Sequence, residues 1–176
     1  MRGLRGEVPQ ASWTRPESWH LTLHFLGEIS ETQVARFSAD LGPRASAAPE
    51  GDLLATGALV FPPRGAARVL GVGFAETPLT AALGELAGAA ARLAPKARDA
   101  KPESRKFTPH VTFARIRQPW PQAAVDRYRS ALGEWRAPAW RARSCVLYRS
   151  RLDPEGAVHT PIQTWSFARA AAEAPA

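Results

Sequence analysis

Residues 20 to 25 read "HLTLHF": His20, Thr22 and His24 fall at every second position, with Leu21, Leu23 and Phe25 between them. Strict alternation over so short a run predicts a β-strand with one polar and one apolar face. Solubility alone explains a polar face, but not two of the chain's four histidines on it. The same spacing returns ninety residues later, where "FTPHVTFARI" (107–116) carries His110-Val111-Thr112-Phe113.

Around these two points the chain divides into similar blocks. After the opening strand, Gly27 to Ser30 makes a turn, and Ser30 is placed to cap a helix to about Leu41 with Val34, Phe37 and Leu41 on its apolar side. Two strand-like runs follow, "LLATGALVF" (53–61) and "ARVLGVGFA" (67–75), joined by the turn signal "PPRG". Thr77 and Pro78 open a second helix, to about Ala94. A basic loop leads to the strand at 107–116. A helix from Pro121 to about Trp135 and two strand-like runs near 139–149 and 157–168 complete the chain, with "DPEG" (153–156) as a turn. Strand, helix, strand, strand thus occurs twice with a helix between, and each leading strand carries His-x-Thr-x. No stretch resembles a linker between independent domains. The expectation is one α+β domain over 1–176, in two lobes related by a pseudo-twofold repeat.

In a strand, residues two apart project to the same side about 6.6–7 Å from each other. Each motif (20–23 and 110–113) therefore offers an imidazole beside a hydroxyl. If the repeats pack about a pseudo-twofold axis, both pairs face one cleft from opposite sides. That suits in-line displacement at phosphorus: one imidazole takes a proton from the attacking oxygen, the other gives one to the leaving oxygen, and two hydroxyls hold the non-bridging oxygens.

Composition is compatible with this. The 176 residues are 45% hydrophobic and 22% charged, an ordinary globular balance with enough chain for one sizeable core. Lysine plus arginine exceed the acids 23 to 16, for a net charge of +7, nearly all of it arginine. Such a charge favours RNA or phosphorylated small molecules, although arginine-rich usage with solvated guanidiniums would look the same. The single Cys145 excludes an internal disulfide and a cysteine-based metal cluster, and fits a reducing cytoplasm. No apolar run reaches the roughly 18 residues of a membrane span, and the N-terminus has no signal-peptide core.

"ESWHLTLHFLGE", "FTPHVTFARI" and "VLYRSRLDPEGAVHTPIQTW" resemble the bacterial and archaeal RNA 2′,3′-cyclic phosphodiesterases (2′-5′ RNA ligase-like proteins) of the two-histidine phosphoesterase superfamily, from about Pro16 to Trp165. The resemblance implies a bilobal α+β fold, two antiparallel sheets lining a central cleft with helices outside. It implies hydrolysis of a terminal 2′,3′-cyclic phosphate to a 2′-phosphate with no metal and no cofactor, and joining of ends by a 2′-5′ bond as the reverse reaction. Carried onto this chain, His20 is the proton donor, His110 the proton acceptor, and Thr22 and Thr112 the phosphate-binding residues. The partners would be RNA ends or nucleoside 2′,3′-cyclic phosphates, for a cytoplasmic, monomeric enzyme that meets no membrane. The family usually has a strand and a helix before the first motif, whereas only 19 residues precede His20 here. Either one sheet lacks a strand or residues 1–15 supply a short substitute.

Further candidates for substrate contact are His24, on the motif face, and Arg115, which resembles a recurrent arginine of the family. For His24 a rim position is preferred, since the second motif has Ala114 in the matching place, and a surface arginine at a strand end is the other reading of Arg115. Arg149 and Arg151 stand where they would guide an RNA backbone or be solvated. The loop "KARDAKPESRK" (96–106), with five basic residues against two acids, lies where an RNA tail would approach. His159 is structural. Phe25 and the tryptophans are expected in the core, with Trp13 and Trp120 the better choices for a stacking surface. Two other functions compete. A metallohydrolase using His20, His24 and His110 is disfavoured because strand residues four apart lie about 13 Å from each other. A non-catalytic basic RNA-binding module would have no need of two His-x-Thr pairs.

Overall fold

The computed structural model describes residues 11–63, 65–95, 107–118, 120–133, 140–153 and 156–169. Among them the elements run β1 (Ala11–Trp13), a 3₁₀ turn (Pro16–Ser18), α1 (Glu31–Ala47), β2 (Gly51–Leu53), β3 (Ala55–Phe61) and β4 (Val69–Phe74). Then come α2 (Pro78–Leu93), β5 (His110–Ile116), α3 (Gln122–Gly133), β6 (Trp140–Ala142), β7 (Ser144–Asp153) and β8 (Gly156–Ser166). All strand pairs within the four-stranded sheet and the β7–β8 hairpin are antiparallel, and the fold is α+β as expected.

The chain forms two compact units, and these do not follow its two halves. The first takes Met1–Thr22, Leu54–Ala75 and Thr108–Trp140; the second takes Leu23–Leu53, Glu76–Phe107 and Arg141–Ala176. Both His-x-Thr segments therefore belong to the first unit. Local patterning shows which segments extend but not which strands pair, so the interleaving was not visible in the sequence.

The first unit is built on a sheet of order β1-β5-β4-β3. Its apolar face holds Val60, Leu70, Val72, Val111, Phe113 and Ile116, closed over by Val125, Tyr128 and Leu132 of α3. β1 runs along β5, with Ala11 opposite Ile116 and Trp13 opposite Ala114. It is the short strand that the residues ahead of the first motif supply. The chain then leaves the sheet through the turn at Pro16–Ser18, where proline's fixed φ suits the first helical position. It returns to the same strand at an antiparallel bridge between Leu21 and Val111. Trp19 anchors this detour: its ring lies 4.7 Å from that of Phe113, centroid to centroid, and its indole N–H donates to the Thr14 carbonyl at 3.3 Å. The first motif thus joins the sheet at one bridge and is not the full strand over 20–25 that its alternation predicts.

β5 pairs with β4 through a bulge. Leu70 faces Ala114, yet Gly71 faces Thr112, so Phe113 is the extra residue. Gly71 is required there, because an added Cβ would stand 2.3 Å from the Val111 carbonyl oxygen.

In the second unit α1 packs on α2 and on β8, beside the small β2–β6 sheet and the β7–β8 hairpin. Both helix starts follow the sequence. Ser30 and Gln33 form a capping box, as do Thr77 and Thr80. α1 nevertheless continues through Pro43 to Ala47, past the end expected at Leu41. Gly42 and Ala45 are buried, and Gly42 lets the Trp165 indole approach so closely that a Cβ would lie 2.9 Å from its Nε1. That packing outweighs the N–H missing at Pro43, whose ring is exposed.

Candidate active site

The Leu21–Val111 bridge decides how the two motifs meet. Leu21 packs against the buried cluster and Val111 is 1% exposed, so both point into the core. Their neighbours His20, Thr22, His110 and Thr112 therefore fall on the opposite side, His20 exposed and the other three partly buried. The antiparallel sense about the bridge sets His20 across from Thr112 and Thr22 across from His110. Directly opposed Cβ atoms lie about 4.5–5.5 Å apart and diagonal ones about 7–8 Å. In this register the two histidines fall on one diagonal of a four-residue set and the two threonines on the other. Two lobes are not needed to bring the motifs together, since neighbouring segments of one sheet do so.

Each ring is held in the same way. His20 Nδ1 lies 2.8 Å from the Ser18 carbonyl oxygen, and His110 Nδ1 lies 2.7 Å from that of Thr108. A carbonyl oxygen only accepts, so Nδ1 carries the hydrogen in both rings. Nε2 is then the acceptor nitrogen of each neutral ring. The spacing is two residues in both cases, Ser18-Trp19-His20 and Thr108-Pro109-His110. The repeat thus extends beyond the motif letters to the backbone oxygen that sets each tautomer. The ring of Phe61, at the end of β3, meets His110 edge to face at a centroid distance of 5.3 Å and 66°. In the sequence Phe61 is only the end of the apolar run 53–61.

The bulge on β5 supplies a third polar group. In an unbroken strand Arg115 would share the core face with Val111 and Phe113. The extra residue turns Phe113 and Ala114 both inward, at 1% and 0% exposure, and returns Arg115 to the side of His110 and Thr112. It also removes the matching of Ala114 with His24, for Ala114 is a core residue.

The remaining candidates are in the second unit or elsewhere. His24, partly exposed, belongs to the second unit. So do Arg149 and Arg151 on β7: Arg149 is bound to Glu31 at the start of α1, while Arg151 is exposed. His159 stands 2.8 Å from the Ser150 hydroxyl across the hairpin, in keeping with a structural role. Phe25 is 69% exposed and is not core, since the chain at 22–29 forms no regular strand that would bury alternate residues. Trp13 and Trp120 are partly buried and pack against the buried cluster of the first unit. The basic loop 96–106 lies outside the described residues. Among the described residues no group of three or more His, Cys, Asp and Glu is placed to hold a metal ion.

A family model described as LigT like phosphoesterase matches residues 1–70 and 78–159. The chain belongs to the LigT-like phosphoesterase family. It is 32% identical over 171 residues to the RNA 2′,3′-cyclic phosphodiesterase of Thermus thermophilus, a match covering 95% of this chain and 79% of the relative. It is 34% identical over 105 residues to the protein of that name from Aquifex aeolicus, covering 60% of this chain but only 55% of that relative's length. A crystal structure from Thermus thermophilus superimposes with a TM-score of 0.63 over 94% of this chain and 86% of that one, at 26% identity. The LigT-like family is one of hydrolases, and within it the two His-x-Thr segments of this chain both lie in matched residues.

Proposed function

We propose that this member of the LigT-like family hydrolyses the 2′,3′-cyclic phosphate at RNA ends, or of a nucleoside, to a 2′-phosphate, using His20 and His110 and no metal. The observation that carries the reading is the set of His20, Thr22, His110 and Thr112 about the Leu21–Val111 bridge, with both Nδ1 atoms tied to backbone carbonyls. The names of the Thermus and Aquifex relatives supply the substrate class.

In this reading the neutral Nε2 of His110 takes a proton from water as its oxygen forms a bond to phosphorus. The P–O3′ bond breaks, and His20, protonated at Nε2, gives its proton to O3′. Thr22 and Thr112 donate to the non-bridging oxygens, and Arg115 adds positive charge as the negative charge spreads. With a 5′-hydroxyl in place of water, the same displacement makes a 2′-5′ phosphodiester and accounts for joining of ends. His24, Arg149 and Arg151 are the outer candidates for RNA contact, Arg149 only after release from Glu31. The reading takes the chain as one two-lobed domain acting as a cytoplasmic monomer. No helix among the described residues is long and apolar enough to cross a membrane.

The test is turnover of a nucleoside 2′,3′-cyclic monophosphate in excess EDTA, with the product assigned by phosphorus NMR. A 2′-phosphate formed at an undiminished rate is expected. Loss of turnover on chelation, or a 3′-phosphate product, would overturn the reading.

A further inference from the structure

We propose that Phe61 is a positioning residue for His110: its ring and the Thr108 carbonyl together fix the direction in which His110 Nε2 points. This rests on the reading of His110 as the proton acceptor.

The geometry shows why one hydrogen bond is not enough. The bond from Nδ1 to the Thr108 carbonyl, at 2.7 Å, sets the tautomer but leaves the imidazole free to swing about that axis. The edge-to-face contact at 5.3 Å and 66° lies within the range in which aromatic rings attract, and it blocks the swing. Phe61 is only partly buried and stands apart from the apolar cluster that fills the other face of the sheet. Register places it on the motif side. Phe61 pairs with Val69 and Val69 with Arg115, while Val60, Leu70 and Ala114 point into the core. Opposite Thr112 and His110, β4 has Gly71 and Gly73, so the intervening strand puts no side chain between Phe61 and the imidazole. The residue is also firmly carried, because the Phe61 carbonyl accepts from Arg68 N–H at 2.7 Å where β3 ends. A general base displaced by about 1 Å costs on the order of a hundredfold in rate, so a contact that limits ring motion has kinetic leverage.

The experiment compares Phe61→Leu, which keeps apolar bulk without the ring, with Phe61→Tyr, which keeps the ring. Steady-state kinetics use a nucleoside 2′,3′-cyclic monophosphate, and carbon-13 relaxation at His110 Cδ2 and Cε1 reads how far the ring swings. Phe61→Leu should lower kcat about tenfold with KM within about twofold, the size expected when one aromatic pair is removed at a reacting group. The His110 ring should gain amplitude of motion while its Nδ1-protonated tautomer stays, and Phe61→Tyr should restore both readouts. Unchanged kcat in Phe61→Leu, a raised KM with kcat intact, or Phe61→Tyr as impaired as Phe61→Leu would each overturn the proposal. If the unsubstituted protein turns over no cyclic nucleotide, the functional reading fails. The NMR comparison still decides whether Phe61 orients the ring, unchanged ring motion in Phe61→Leu counting against it.

Discussion

At the scale of the residue, the two histidines differ in neighbours but share a tether, each Nδ1 bound to the carbonyl two residues before it. Replacing either histidine by alanine should lower kcat/KM by roughly a hundredfold or more, as acid–base groups contribute 10²–10⁴. The double variant should be little worse than the worse single one, since the pair acts as a unit. A His110→Ala enzyme with near-normal turnover would show the base is elsewhere. Because one ring must be neutral and the other charged, kcat/KM should trace a bell against pH, its limbs belonging to the pair. Thr22→Val and Thr112→Val keep shape and delete a donor. They should depress kcat for the smallest cyclic nucleotide with little dependence on salt, and a strongly salt-dependent loss would point to attraction instead of positioning. These four residues were legible from alternation and recurrence. Arg115 was legible only as a letter, because the side of the strand it occupies depends on the residue inserted at Phe113. Phe61 was not legible, since its meeting with His110 is made across an intervening strand.

At the scale of the element, the bulge between β4 and β5 is what α3 supports. Tyr128, fully buried, donates its hydroxyl to the Gly71 carbonyl at 2.6 Å, where the register shifts. Burial holds its phenol well above the ordinary range, so the donor keeps its hydrogen at all pH values near neutrality. Tyr128→Phe leaves that buried carbonyl without this donor and should cost about 1–3 kcal/mol, read as a lowered denaturant midpoint. If the bulge loosens as well, turnover falls in the folded variant. Gly71→Ala is the harsher change: a methyl 2.3 Å from the Val111 oxygen forces β5 to move. It should lose both stability and activity, and a variant as stable as the parent would show that the strands separate more easily than their packing indicates. Helix starts were legible in the side chains that cap them, Ser30 with Gln33 and Thr77 with Thr80. The end of α1 was not, because what carries it past Pro43 is Trp165, 123 positions beyond the Gly42 it packs on.

For the whole molecule, the proposed function makes the +7 charge a matter of substrate capture more than of chemistry, which a charge-neutralised loop tests. Neutralising the five basic residues of 96–106 should leave a cyclic mononucleotide turned over normally. A longer RNA should show a raised KM and a shallower salt dependence, because fewer cations facing its phosphates means fewer counterions released on binding. Equal impairment of the small substrate would place the loop in the reacting centre. By itself the sequence determined the α+β class, both helix caps and the twin His-x-Thr segments, since each depends on residues within a few positions of one another. Only the tertiary structure decided that both motifs belong to one unit and meet at Leu21 and Val111. It also decided that a bulge turns Arg115 to their side, and that Phe61 reaches His110. The physical reason is that strand pairing and register are set by buried contacts between residues far apart in the chain, here Val111 with Leu21, and Gly71 with Val111 and Tyr128. No local period records which of them will meet.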